Sequence, residues 1–96
     1  MELRVMERGK DSLELEIIGE GHTFCNLLVD VLNSDPEVEY AGYDVSHPLL
    51  GTPRLFLRVR KGDPEKALRR ALERIVKLMD ELHEAFEGAL KSERRG

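Results

Sequence analysis

Apolar and polar residues alternate in two short segments near the start of the chain. In residues 3–8 (LRVMER) and 12–18 (SLELEII), most apolar side chains occur at every second position. The two segments are separated by Gly-Lys-Asp at positions 9–11. This pattern predicts two strands joined as a hairpin. The side chains expected on one side of the second strand are Leu13, Leu15 and Ile17, and those expected on the other are Glu14 and Glu16.

Helical spacing of apolar residues replaces the alternation from residue 23. Thr23 is a suitable N-cap, and Ser-Asp-Pro at 34–36 is a stop signal, so we expect a first helix of about 11 residues. Two further strands are predicted at 37–45 (EVEYAGYDV) and 54–60 (RLFLRVR), joined by a connection that contains proline and glycine.

A second helix is predicted from the Asp-Pro-Glu sequence at 63–65. These residues offer a capping carboxylate, a proline at the first helical position and an acid in the first turn. The pattern continues to about Leu90, with Gly88 as a possible earlier end. The order β-β-α-β-β-α predicts a single two-layer α+β domain over residues 1–96, with two helices on one face of a four-stranded sheet and a long C-terminal helix.

The two predicted helices carry more apolar surface than a small sheet can cover. A helix of some 26 residues is about 40 Å long, whereas strands of six or seven residues span only about 20–25 Å. The first helix is apolar on most sides, and such helices are buried on most sides. A partner subunit would cover the excess; the alternative is a solvated, frayed overhang past Gly88. The main stripe of the second helix comprises Leu68, Leu72, Ile75, Met79, Leu82, Phe86 and Leu90.

The amino-acid composition limits the kinds of molecule that the chain could bind and indicates its cellular compartment. The chain has 15 Lys+Arg and 19 Asp+Glu residues, which give a net charge of −4. This charge argues against nonspecific electrostatic binding to nucleic acid or to an anionic membrane. One cysteine excludes an intrachain disulfide and favours a reducing, cytoplasmic location. No apolar run approaches the roughly 20 residues of a membrane span.

The pair His22 and Cys25 is the one candidate for thiol chemistry. A cysteine in the first turn of a helix gains nucleophilicity, but a thiol site also needs an orienting group and oxyanion donors, and none is apparent nearby. His47 and His83 are the other candidate zinc ligands, but they are far from this pair in the sequence. A zinc site needs three or four protein ligands that lie close together. We therefore expect no catalytic residue, metal or cofactor, and expect Cys25 to pack as a small hydrophobic side chain.

An RNA-binding sheet is a competing hypothesis. Arg54, Phe56 and Arg58 alternate on the fourth strand, which we take as an end strand, and arginines interleaved with an aromatic are typical of RNA-binding sheets. Only two aromatic residues, Phe56 and Tyr43, are available to stack on bases. Acids are expected to balance the arginines on this face; its expected charged residues are Glu2, Arg4, Arg8, Glu14, Glu16, Glu37, Glu39, Arg54, Arg58 and Arg60.

Two separated motifs resemble a known family. The pattern acidic-His-Thr-hydrophobic-x-Asn-Leu-Leu falls on residues 20–28 (EGHTFCNLL), and the pattern Ala-Gly-Tyr-x-x-x-His-Pro-Leu falls on residues 41–49 (AGYDVSHPL). Together they resemble the small assembly subunit of archaeal and eukaryotic RNA polymerases, and the chain is more similar to the archaeal form. The resemblance covers roughly residues 10–90.

The resemblance implies a non-catalytic role in transcription. Family members pair with a larger, subunit-D-like partner, and the heterodimer is the platform on which the two large catalytic subunits assemble. Direct sequence-specific contact with nucleic acid is not expected. The implied partner interface is Phe24, Leu27, Leu28, Val31, Leu72, Ile75, Met79, Leu82 and Phe86. The implied motif residues, with structural or contact roles, are His22, Thr23, Asn26, Gly42, Tyr43, His47 and Pro48.

The physical pattern alone leaves the identity of the partner open. An apolar helix face does not reveal whether its partner is another protein or a second copy of the same chain. A self-sufficient homodimeric module therefore remains an alternative to the heterodimer.

Overall fold

A computed structural model describes residues 1–45 and 51–95, and its elements follow the predicted order. The strands and helices are β1 (Glu2–Arg8), β2 (Ser12–Ile18), α1 (His22–Asn33), β3 (Val38–Val45), β4 (Pro53–Val59) and α2 (Pro64–Arg95). The two-layer α+β prediction is confirmed.

The four strands form one antiparallel sheet in the order β1-β2-β4-β3. β4 therefore lies in the interior of the sheet, and its treatment as an end strand was wrong. Its position is explained by its apolar side chains, because Leu55, Leu57 and Val59 are all buried. The edges of the sheet are β1 and β3.

The core lies between the sheet and the two helices. β2 contributes its alternating apolar residues, with Ile17 fully buried, as the sequence pattern predicted. The core residues from the helices are Cys25, Leu28 and Leu32 of α1, and Ala67 and Ala71 of α2. Small alanines let the start of α2 approach the rest of the core closely.

The two helices start differently. α1 begins at His22 with Gly21 as its N-cap, and no side chain caps it, so the prediction of Thr23 as the cap was wrong. α2 begins as predicted: Pro64 is its first residue, and the Asp63 Oδ1 accepts a hydrogen bond of 2.9 Å from the Glu65 N–H. Gly62 enters this turn with a φ of +84°, a conformation that side chains disfavour.

α2 runs through Gly88 to Arg95, beyond the predicted end near Leu90. Its 32 residues correspond to about 48 Å of helix. The radius of gyration is 16.4 Å, whereas a compact chain of this length is expected near 12–13 Å. The C-terminal half of α2 therefore projects away from the two-layer body. Among the described residues, no helix combines the length and apolarity needed to cross a bilayer.

A bulge changes the face on which β1 presents its last residue. The register with β2 shifts between Val5 and Glu7, so Arg8 pairs with Leu13 on the helix-bearing face. There its guanidinium lies 2.7 Å from the Glu65 carboxylate at the start of α2. The prediction that Arg8 lies on the open face was wrong, because strict alternation cannot anticipate a bulge.

Candidate protein–protein interface

The apolar stripe of α2 divides into a covered part and a bare part. Leu68, Leu72 and Ile75 are half-buried and pack on the core. Beyond them the stripe is exposed over three residues, with Met79 48% exposed, Leu82 62% and Phe86 58%, and the neighbouring Val76 is 60% exposed. Contiguous exposed apolar surface of this kind marks an interaction site.

The apolar residues in the bare part of the stripe have the same spacing as those in the covered part. From Leu68 to Phe86 the stripe advances by alternating steps of four and three residues, the heptad spacing of a helix that packs along another helix. Ala85 borders the bare part of this seam and leaves room for close approach. The apolar stripe of α2 therefore extends beyond the part that its own domain covers.

α1 adds a smaller apolar surface, with one correction to the predicted set. Phe24, Leu27 and Val31 are half-buried and remain accessible on the helix. Leu28 is only 2% exposed and belongs to the core of this chain, so it is not available to a partner. Because α1 is apolar on most sides, its sequence could not separate residues facing the domain core from residues facing a partner.

An uncovered apolar groove lies between β1 and the first half of α2. Leu3 and Val5 of β1 are 46% and 52% exposed, although they point to the helix-bearing face opposite Ile17 and Leu15. The groove has a volume of about 220 Å³. Its lining is Leu3, Val5, Arg8, Leu13, Leu15, Glu65, Leu68, Arg69 and Leu72. Local sequence patterns do not predict this surface, because sheet order and helix placement decide which strand stays uncovered.

The two motif segments meet at the N-terminal end of α1. The Tyr43 hydroxyl lies 2.9 Å from the His22 Nδ1, and the two rings are tilted against each other with centroids 5.7 Å apart. Tyr43 pairs with buried Leu55 across the sheet, so it lies on the helix-bearing face and not on the open face. Thr23 and Asn26 are exposed beside this pair. His47 and Pro48 lie outside the described residues.

Gly42 makes room for an aromatic ring on the open face. A Cβ at this position would collide with the hydroxyl end of Tyr40. The Tyr40 ring therefore folds over a position that has no side chain. Because Tyr40 is 58% exposed and its ring can turn aside, this contact favours glycine at position 42 without requiring it.

Cys25 and His22 do not form a thiol–imidazole pair. Cys25 is fully buried. Burial raises the pKa of the Cys25 thiol, and the nearby Glu20 carboxylate raises it further. The imidazole of His22 is exposed and interacts with Tyr43 instead. The thiol is therefore packed, protonated at neutral pH and poorly suited to act as a nucleophile.

Within residues 1–45 and 51–95, no three or more His, Cys, Asp or Glu side chains come together as metal ligands.

The open face of the sheet is acidic overall. By strand register it carries five acids (Glu2, Glu7, Glu14, Glu16, Asp44) and three arginines (Arg4, Arg54, Arg58). Arg54 lies 3.5 Å from Glu14, and the aromatics on this face are Tyr40 and Phe56. Phosphate binding requires an excess of positive charge, which this face lacks.

Glu37 was also misplaced on the open face by the sequence pattern. Arg70 of α2 bridges it and Asp35, with guanidinium–carboxylate distances of 3.0 Å to Glu37 and 2.9 Å to Asp35. Burial alone raises the pKa of Asp35, but hydrogen bonds from the Glu37 N–H and from Arg70 outweigh it, so the net pKa is lowered. This bridge fixes α2 against the α1–β3 connection.

Comparisons with known proteins agree with this geometry. Residues 12–85 match the family model of the RNA polymerase Rpb3/Rpb11 dimerisation domain. The chain is 41% identical over 76 residues to DNA-directed RNA polymerase subunit Rpo11 of Archaeoglobus fulgidus, covering 79% of this chain and 88% of that protein. It is 38% identical over 95 residues to subunit Rpo11 of Pyrococcus horikoshii, covering 96% of this chain and 100% of that protein.

A solved structure has the same fold. The crystal structure of DNA-directed RNA polymerase subunit L from Thermoplasma acidophilum superposes with a TM-score of 0.85 at 31% sequence identity, covering 94% of this chain and 89% of that one. The match includes the sheet and the long terminal helix whose apolar stripe is bare here. The chain belongs to the RNA polymerase Rpb3/Rpb11 dimerisation-domain family.

Proposed function

We propose that this chain is a non-catalytic assembly subunit of a DNA-dependent RNA polymerase. In this role it pairs with a subunit-D-like partner, and the pair forms the platform on which the two large catalytic subunits assemble in the cytoplasm. The observation that carries the proposal is the bare part of the apolar stripe of α2, from Met79 to Phe86. The relatives are named as RNA polymerase subunits, which supplies the complex in which such a surface would be used.

The stripe can supply enough free energy for a stable pairing. Fully burying one side chain of this kind contributes about 1.5–3 kcal/mol before the costs of association are subtracted. The proposed contact residues on α2 are Leu72, Ile75, Met79, Leu82 and Phe86, and on α1 they are Phe24, Leu27 and Val31.

The motif residues form a second proposed contact surface, separate from the stripe of α2. His22, Thr23 and Asn26 lie at the accessible N-terminal end of α1, next to Tyr43. We assign this end of the molecule to hydrogen bonding with a large subunit, together with His47 and Pro48 of the following connection. Gly42 serves by accommodating Tyr40 on the open face of the sheet.

The test is light scattering behind size exclusion, for the chain alone and after co-expression with a subunit-D-like protein from the same source. A 1:1 complex that survives dilution is expected. A chain that remains unassociated with the D-like protein would contradict the proposal.

A pair of variants locates the surface. Leu82→Glu places a charge in the middle of the bare stripe and should abolish complex formation while leaving the domain folded. Lys77→Ala changes the opposite side of the same helix and should leave the complex intact. Equal effects of the two changes would place the interface elsewhere.

A further inference from the structure

Met79 is the only sulfur-containing residue of α2, and it lies in the apolar stripe. Ile75 precedes it by four residues and Leu82 follows it by three, so the three side chains share one face of the helix. Ile75 is half-buried against the core, whereas Met79 is 48% exposed and Leu82 is 62% exposed. The Met79 thioether therefore lies where the bare part of the stripe begins, and solutes reach it in the unpaired chain.

The other sulfur atoms of the chain are placed differently. The Cys25 thiol is fully buried and burial raises its pKa, so its reactive thiolate form is scarce. Met1 and Met6 are 68% and 41% exposed, but they belong to the N-terminus and to β1. A thioether has no proton to lose before it reacts with an oxidant, so exposure governs which methionines react. Met79 is thus the accessible sulfur on the bare part of the stripe.

A peroxide changes the polarity of this side chain. The Met79 sulfur attacks one oxygen of hydrogen peroxide, an S–O bond forms, the O–O bond breaks, and the departing oxygen takes up a proton and leaves as water. The sulfur is oxidised by two electrons, and the peroxide is reduced. The product is a methionine sulfoxide, in which a polar, chiral group replaces a flexible apolar one.

The sulfoxide oxygen is hydrated in the unpaired chain and loses this water when the stripe is covered. The helix neighbours of Met79, three and four residues away, are Ile75, Val76, Leu82 and His83. The side chains of the first three have no hydrogen-bond donor, and only the imidazole of His83 has one. Burying a polar group with an incomplete set of hydrogen bonds opposes association. Oxidation of Met79 therefore weakens a pairing that buries this surface.

We propose that Met79 is an oxidation-sensitive site that controls pairing: peroxide converts its thioether to a sulfoxide in the unpaired chain, and the sulfoxide prevents tight binding of the subunit-D-like partner. The inference rests on the proposed function and adds a chemical control of the same surface. Pairing covers Met79 and so protects assembled chains. A methionine sulfoxide reductase restores the surface by using a dithiol, which becomes a disulfide as the sulfoxide oxygen leaves in water.

The test is to oxidise the chain alone with hydrogen peroxide, remove the peroxide, and then measure the Kd for an unoxidised subunit-D-like protein. Mass spectrometry of proteolytic peptides gives the oxidised fraction at each methionine. Chains oxidised at Met79 are expected to bind about tenfold to a hundredfold more weakly, and treatment with methionine sulfoxide reductases and a dithiol should restore binding. An unchanged Kd after complete oxidation of Met79 would overturn the inference.

Two leucine variants assign the effect to one sulfur atom. Met79→Leu keeps an apolar side chain of similar volume, so it should bind normally and remain insensitive to peroxide. Met6→Leu is the matched control, because Met6 is also exposed but lies on β1, and this variant should be as sensitive as the unchanged chain. An equal loss of binding by oxidised Met79→Leu would overturn the assignment. So would a loss of helical circular dichroism on oxidation of the unchanged chain, because the effect would then be unfolding.

The preformed complex provides a second readout. Peroxide should oxidise Met79 at least about tenfold more slowly in the complex than in the chain alone, because susceptibility follows exposure. Equal rates would overturn the inference. An unoxidised chain that fails to bind the D-like protein would contradict both the proposed function and this inference. If the unoxidised and oxidised chains bind equally well, only this inference fails.

Discussion

The Asn33 side chain closes one edge of the sheet by hydrogen bonding to the backbone of Ala41. Its amide nitrogen donates to the Ala41 carbonyl oxygen, and its carbonyl oxygen accepts from the Ala41 N–H, both at 3.0 Å. The side chain thus supplies the two hydrogen bonds that a neighbouring strand would make to β3. The last residue of α1 is fixed to an edge strand in this way.

Replacing this side chain should destabilise the fold measurably. Asn33→Ala removes two hydrogen bonds to an edge strand, and we expect a loss of about 1–2 kcal/mol in the free energy of unfolding. Asn26→Ala is the matched control, because Asn26 is an exposed residue of the same helix. Urea denaturation of both variants checks this; equal losses would show that the contact to Ala41 contributes nothing.

Two leucines with opposite environments should respond differently to truncation. Leu32 is fully buried in the core, and Leu32→Ala should cost about 2–5 kcal/mol in the free energy of unfolding. Leu82 is 62% exposed, and Leu82→Ala should change the stability of the isolated monomer by about 0.5 kcal/mol or less.

The measurement is denaturant unfolding at a protein concentration low enough to keep the chain monomeric. The same Leu82→Ala change should weaken the complex with a subunit-D-like protein. A large loss of stability in the monomer would mean that the projecting half of α2 already packs on its own domain.

The acid stability of the chain should depend on the bridge between Asp35 and Arg70. Because the folded state lowers the pKa of Asp35, the unfolded state takes up its proton first, and stability from this group is lost as pH falls below about 4. Asp35→Asn should lower stability at neutral pH and make the acid dependence shallower.

Unfolding free energies measured between pH 2 and pH 7 check this expectation. Arg70→Gln keeps the carboxyl group but removes its charged partner, so the folded-state pKa of Asp35 returns towards its unfolded value and the loss of stability in acid should become smaller. An Asp35→Asn variant whose acid dependence ran parallel to that of the unchanged chain would contradict the assignment.

The Cys25 thiol should react only when the chain opens. It is fully buried and its pKa is raised, so the thiolate is scarce and inaccessible in the folded state. A chromogenic disulfide reagent is expected to modify Cys25 slowly in buffer and rapidly in denaturant. Modification in buffer at the rate of an unhindered thiol would show that α1 does not hold this residue in the core.

Much of the fold followed from local patterns. The alternation in β2 predicted its buried and exposed sides because successive side chains of a strand point to opposite faces. The Asp-Pro-Glu sequence at 63–65 located the start of α2 because each residue suits one position of a helix N-terminus. The end of α2 was placed too early, since Gly88 lowers helix propensity but does not forbid a helix.

The exposed apolar surface was predictable only in part. The apolar stripe of α2 and its excess length over the strands predicted surplus apolar surface, and Met79, Leu82 and Phe86 of that stripe are exposed. Leu28 was assigned to the partner, but it belongs to the core. Leu3 and Val5 were not recognised as surface residues, because their exposure depends on the position of β1 at the sheet edge.

The sequence by itself determined the elements, the sides of β2 and the excess of apolar surface on α2, because these depend on spacing along one chain. The tertiary structure decided which apolar residues are core and which are bare, where Arg8 and Glu37 lie, and that Tyr43 meets His22. These features depend on strand order, on a bulge in β1 and on the contact between the helices. Such relations join residues far apart in the chain, and local periodicity does not encode them.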